Sequence, residues 1–119
     1  MPLRKLEPEF RERIWGSTRL EPWFRNPDSA IGEVWHEVPG DLPLLVKFLF
    51  TTQPLSVQVH PDDAYARAHY DSPGKTEMWH ILAGEPRARI AAGFRQPVTP
   101  DQVRSAALST TSGEIEGML

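Results

Sequence analysis

Twelve prolines and eight glycines are scattered through this 119-residue chain instead of being gathered into one linker. Proline lacks a backbone donor and fixes φ, and glycine weakens the interior of a helix or strand, so the pattern predicts many short elements separated by turns. A chain of this length makes a single domain, residues 1–119,. Residues 6–15 mix charges with Phe10, Ile14 and Trp15 and stop at Gly16, which reads as an extended lead-in or a short helix. In residues 20–28 turn formers surround the pair Trp23-Phe24, as in an ordered loop,. Strands are predicted over 31–38, 44–51 and 55–60, the last alternating strictly and ended by Pro61,. Pro61-Asp62-Asp63 opens a helix to about Tyr70, with its acids at the positive end of the dipole,. Two more strands, 76–82 and 88–92, flank Gly84-Glu85-Pro86. Thr99-Pro100-Asp101-Gln102 is a capping box leading into a helix over 103–108, and Thr111-Ser112-Gly113-Glu114 begins a last short one,. Strands followed by small peripheral helices predict a mainly-β domain, a sandwich or jelly roll.

Composition narrows the function. With 39% hydrophobic and 24% charged residues the chain has the apolar mass for a core,. A net charge of −3 leaves no excess of Lys and Arg to neutralise a polyanion, so no nucleic-acid partner is expected,. There is no cysteine, which excludes disulfides and thiolate chemistry and leaves only nitrogen and oxygen donors for any metal,. The longest apolar run, 42–51, contains Lys47 and is too short to cross a membrane, and residues 1–13 carry no signal-type apolar core,. A soluble, cytoplasmic protein without membrane association is expected.

Strand alternation sends every second side chain to one face. In 55–60, Leu55, Val57 and Val59 share one face and Ser56, Gln58 and His60 the other; in 75–81, Lys75, Glu77, Trp79 and Ile81 point together, opposite to Met78 and His80. A carboxylate between Lys and Trp is unusual in a strand. If the two polar faces meet, Gln58, His60 and Glu77 converge as donors suited to a Zn²⁺-like ion. If that face is solvated, the same residues are ordinary surface groups. Lys47 sits in a strand apolar on both faces, where it either protects a sheet edge or faces a polar cavity,. By default Glu33 is a surface acid, Trp35 a core residue and Trp15 a core anchor, and His36, His69 and His80 have no ligand partner at a useful spacing.

The motifs are more specific than their spacing. Arg13-Ile14-Trp15-Gly16, Ile31-Gly32-Glu33-Val34-Trp35, Leu45-Val46-Lys47-Phe48-Leu49, Leu55-Ser56-Val57-Gln58-Val59-His60-Pro61-Asp62-Asp63 and Gly74-Lys75-Thr76-Glu77-Met78-Trp79-His80-Ile81-Leu82 occur in this order. In that order they resemble type I mannose-6-phosphate isomerases, over nearly the whole chain. The resemblance implies a cupin-like jelly roll or β-sandwich, incomplete here, and zinc-dependent interconversion of mannose 6-phosphate and fructose 6-phosphate. It implies Gln58, His60 and Glu77 as ligands of one Zn²⁺ ion, with Trp15, Glu33, Lys47, Ser56 and Lys75 lining the sugar-phosphate pocket. The family's fourth ligand, a later histidine, and an arginine near the substrate have no counterpart in this sequence. The expectation is therefore an N-terminal portion, as a truncated product or a fragment.

Aldose–ketose isomerisation moves a proton between C2 and C1 through a cis-enediol while charge develops on the carbonyl oxygen. A metal on Gln58, His60 and Glu77 would stabilise that charge. Lys75, beside the cation, is placed to act as the catalytic base or to stay charged and hold phosphate. Two other classes remain open: a catalytically inactive cupin module that binds metal or sugar phosphate, and a chain that pairs with another or with itself through uncovered strand edges. With Gln58 a neutral amide, the lack of a counterpart to the family's later histidine is expected to weaken the site and leave it uncovered, so the 119-residue chain alone is expected to bind Zn²⁺ poorly and to have little or no isomerase activity,.

Overall fold

Alternating apolar and charged residues in the first half form a three-stranded antiparallel sheet. Its strands are β1 (Glu9–Ser17), β2 (Ile31–Glu37) and β3 (Leu45–Leu49), in the order β1-β2-β3. The chain is seen in a computed structural model that describes residues 3–40, 42, 44–109 and 113–119. It divides into two compact units, Met1–Ser56 and Val57–Leu119.

In the first unit the register sorts the two faces. Phe10 pairs with Val34 and Val34 with Phe48, which makes an apolar row. One residue along, Glu9 pairs with Trp35 and Trp35 with Lys47, which makes a charged row. The loop after β1 closes the apolar side. Leu20 joins Ile31 and Val34 in the buried core, with Phe24, Phe48 and Phe50 packed against them. Phe24 meets Phe48, Phe10 and Phe50 edge-on, at centroid distances of 5.2, 5.5 and 6.0 Å, a favoured geometry for aromatic pairs. Asn26 Oδ1 accepts from the backbone N–H groups of Leu20 (2.7 Å) and Glu21 (3.3 Å), so a side chain does the work of a turn,. A Cβ on Gly32 would come within 2.5 Å of Arg13 and 2.7 Å of the Trp15 ring, so only glycine lets β1 side chains lie across β2,.

The second unit is organised by capped helices. α1 (Asp63–Tyr70) has Asp62 as N-cap, its side chain accepting from the Tyr65 N–H at 2.8 Å,. α2 (Pro100–Leu108) carries the expected Thr99/Gln102 capping box with proline in its first turn,. α3 (Glu114–Gly117) follows, while residues 111 and 112 of its expected box lie outside the described residues.

The strands predicted over 31–38 and 44–51 are present as β2 and β3, the loop at 20–28 is a loop, and of the two readings of 6–15 the extended one holds. Residues 55–60, 76–82 and 88–92 are not strands. Alternation states where side chains point once a strand is paired; a strand also needs a ladder partner and cross-strand side-chain contacts. Among the described residues no strand pairs with these segments. Several of their apolar positions are correspondingly exposed, Val59 at 87% and Met78 at 91% accessible, while Leu55 and Val57 are half-buried. The observed architecture is a small antiparallel sheet with a few short helices.

Candidate functional site

Each unit gathers some of the predicted residues. In the second unit, α1's N-terminus fastens a distant segment. Asp63 Oδ1 accepts from the Gly74 N–H at 2.9 Å, and the Pro61 carbonyl accepts from the Lys75 N–H at 3.2 Å. A Cβ on Gly74 would lie 2.6 Å from Asp62 and Asp63 backbone atoms, so this approach requires glycine,.

The fastening sets residues 75–77 beside His60. Lys75 Nζ lies 2.8 Å from Glu77 Oε1 and 3.3 Å from His60 Nε2, and His60 Nε2 lies 3.4 Å from Glu77 Oε2. Trp79 Nε1 donates to Glu77 Oε2 at 3.4 Å. Lys75, Glu77 and Trp79 thus meet as alternation suggested, although the backbone is not a strand. The hydrogen bond from Lys75 holds the Glu77 carboxyl below its usual range; partial desolvation opposes this, and Trp79 and the charges of Lys75 and His60 reinforce it,. Glu77 therefore stays ionised into mildly acidic solution.

The geometry and chemistry of this pair bear on a metal. Two donors each about 2.0–2.1 Å from one tetrahedral ion stand about 3.3–3.4 Å apart, and the Nε2–Oε2 separation of 3.4 Å matches. An imidazole and a carboxylate are both competent ligands, so the pair fits a divalent ion. Gln58, two positions before His60, is exposed. No group of three or more His, Asp or Glu side chains suited to a metal occurs among the described residues.

In the first unit, Glu33 on β2 is mostly covered, its side chain 13% accessible, and it collects two cations. Arg13 Nη2 lies 2.6 Å and Lys47 Nζ 3.5 Å from its carboxylate. Lys47 Nζ also sits 3.9 Å from the centroid of the Trp35 ring, with Arg11 Cζ at 3.6 Å, attractive positions for a cation over a π-face. Lys47 occupies an edge strand, yet its ammonium turns to Glu33 and Trp35. Trp15 accepts through its carbonyl from the Thr52 N–H at 2.8 Å, and Ser56 is exposed.

Sequence reasoning gave Arg11 and Arg13 no role in a site and took Trp35 as a core residue. The available signal was charge alternation, since Glu9 and Arg11 on β1 register with Trp35 and Glu33 on β2. Trp35 Nε1 and Arg11 Nε are buried donors with no hydrogen-bond partner among the described residues, leaving unmet bonding capacity beside Lys47. An open surface groove along residues 94–100 and Val103 contains none of the predicted site residues.

A family model described as "Phosphomannose isomerase type I, catalytic domain" matches residues 23–83, the stretch that carries every predicted site residue except Trp15. The probable mannose-6-phosphate isomerase GmuF of Bacillus subtilis strain 168 is 35% identical over 125 residues, covering 74% of this chain and 40% of that protein. Mannose-6-phosphate isomerase ManA of the same organism is 33% identical, with 73% of this chain and 39% of the relative covered. A mannose-6-phosphate isomerase of Streptococcus mutans UA159 is 49% identical over 93 residues, or 78% of this chain and 23% of that protein. The chain thus spans well under half of the length of these relatives. No solved structure matches it.

Proposed function

The chain belongs to the type I phosphomannose isomerase family, and from that membership we propose that its residues serve the interconversion of mannose 6-phosphate and fructose 6-phosphate, as part of a cupin-type jelly roll acting in the cytoplasm. The observation that carries the reading is the contact of His60, Glu77 and Lys75, built by the Gly74 approach to Pro61 and Asp63. His60 and Glu77 would hold one divalent ion, Zn²⁺ in this reading, with Gln58 adding a neutral amide oxygen. When bound, such an ion supplies Lewis-acid stabilisation of the negative charge that develops on the substrate's carbonyl oxygen.

The remaining roles fall to the chain's own groups. Lys75 is the proposed catalytic residue: as the neutral amine it takes the proton from one of the two adjacent carbons and, as the ammonium so formed, returns it to the other, while the hydroxyl proton passes between the two substrate oxygens. In the metal-free chain the Lys75 ammonium rests on ionised Glu77, 2.8 Å away. Lys47 contributes positive charge for the phosphate, and Glu33 accepts from sugar hydroxyls while Arg13 steadies it. Trp15 and Ser56 complete the proposed substrate contacts. Among the described residues no helix is long and apolar enough to cross a membrane.

A coupled assay of mannose 6-phosphate turnover by the purified chain, with Zn²⁺ added, tests the reading. Turnover abolished by a chelator and by His60→Ala supports it. Turnover that survives His60→Ala overturns the site assignment. Absence of turnover with sugar phosphate still bound overturns the catalytic role in favour of an inactive binding module.

A further inference from the structure

Three atoms in the second unit meet as a cation and its two acceptors. Lys75 Nζ is 2.8 Å from Glu77 Oε1 and 3.3 Å from His60 Nε2, the same two side chains that fit a divalent ion. An ammonium has only donors, so with the imidazole proton on Nδ1 its contact with Nε2 uses the lone pair that a metal would need,. The carboxylate that would neutralise a metal is likewise engaged by this single positive charge.

We propose that the Lys75 ammonium occupies the cation position between His60 and Glu77, and that a divalent ion binds only by displacing it. The inference rests on the metal-binding reading above and adds an order to it. Ion binding releases Lys75 from its two acceptors, so the amine becomes available to a sugar phosphate only once the ion is in place. Lys75 can leave without disturbing the fold. Its side chain is 51% accessible, and the segment is fastened through the backbone N–H groups of Gly74 and Lys75 rather than through Nζ.

The test measures Zn²⁺ affinity of the full chain by competition with a chromophoric chelator, without substrate or turnover. Wild type is compared with Lys75→Met, Lys75→Arg and His60→Ala. Removing a like charge a few ångströms from a divalent ion in a partly exposed site is expected to tighten binding about tenfold in Lys75→Met. Lys75→Arg, which keeps the charge, is expected to stay close to wild type, and His60→Ala to bind far more weakly. Equal or weaker binding by Lys75→Met, with His60→Ala still impaired, overturns the displacement and leaves the metal reading standing. No binding by any variant, or binding indifferent to His60→Ala, overturns both.

Discussion

At the scale of single residues, Glu77 is the group whose behaviour is most open to measurement. Its carboxyl is held below its usual range chiefly by the hydrogen bond from Lys75. A group whose folded value is depressed contributes stability that is present above its unfolded value and is lost as pH falls through the folded one. The Lys75–Glu77 contact should therefore be fully formed at neutral pH and fail only in acid. We predict that a ¹³C carboxyl titration finds Glu77 below the usual carboxylate range in the metal-free protein and moves it upward in Lys75→Met. An unchanged Glu77 titration in that variant would show that Lys75 is not its main partner. Glu33 takes the corresponding place in the first unit, accepting from Arg13 and Lys47. Its two cations come from other strands, so nothing in its local sequence identified them.

At the scale of elements, two devices hold the predicted residues. The first is the loop that lays Leu20 and Phe24 on the sheet. Phe24 touches three other phenylalanine rings, so Phe24→Ala is expected to cost about 3 kcal/mol, typical of an aromatic truncation in a packed site,. Thermal unfolding followed by near-UV circular dichroism should show it as a lowered midpoint. The second device is the close approach of Gly74 to the N-terminus of α1. Gly74→Ala places a methyl 2.6 Å from backbone atoms that cannot swing aside. A cost of about 1–3 kcal/mol is expected. Faster hydrogen exchange at the Lys75 amide and weaker Zn²⁺ binding should accompany it. Retained affinity in Gly74→Ala would mean that His60 and Glu77 meet without this fastening.

At the scale of the whole molecule, the three-stranded sheet leaves β1 and β3 each with a strand neighbour on one side only among the described residues. Leu44, just before β3, and Leu45 and Val46 at its start are 52%, 38% and 44% accessible, a short apolar edge of the kind that pairs with other chains,. Concentration-dependent self-association is therefore expected in size-exclusion chromatography. Val46→Lys, which puts a charge on that edge, should move the chain toward the monomer; an elution position indifferent to both concentration and this substitution would remove the edge from consideration.

Local contacts were legible in the sequence because their partners are a few residues apart. Asp62 caps α1 through Tyr65, three positions on, and Thr99 and Gln102 cap each other across the same interval. The ordered motifs around Glu33, Lys47, His60 and Glu77 were sufficient to point to the family. The fate of residues 55–60 and 76–82 was not legible, because alternation specifies the direction of side chains only for a strand that has found its neighbour. His60 and Glu77 do come together, but a glycine-dependent backbone approach brings them there instead of a sheet. That Arg13 and Lys47 both reach Glu33 was likewise decided by register, since a charge meets its partner across strands only after the chain has folded to place it there.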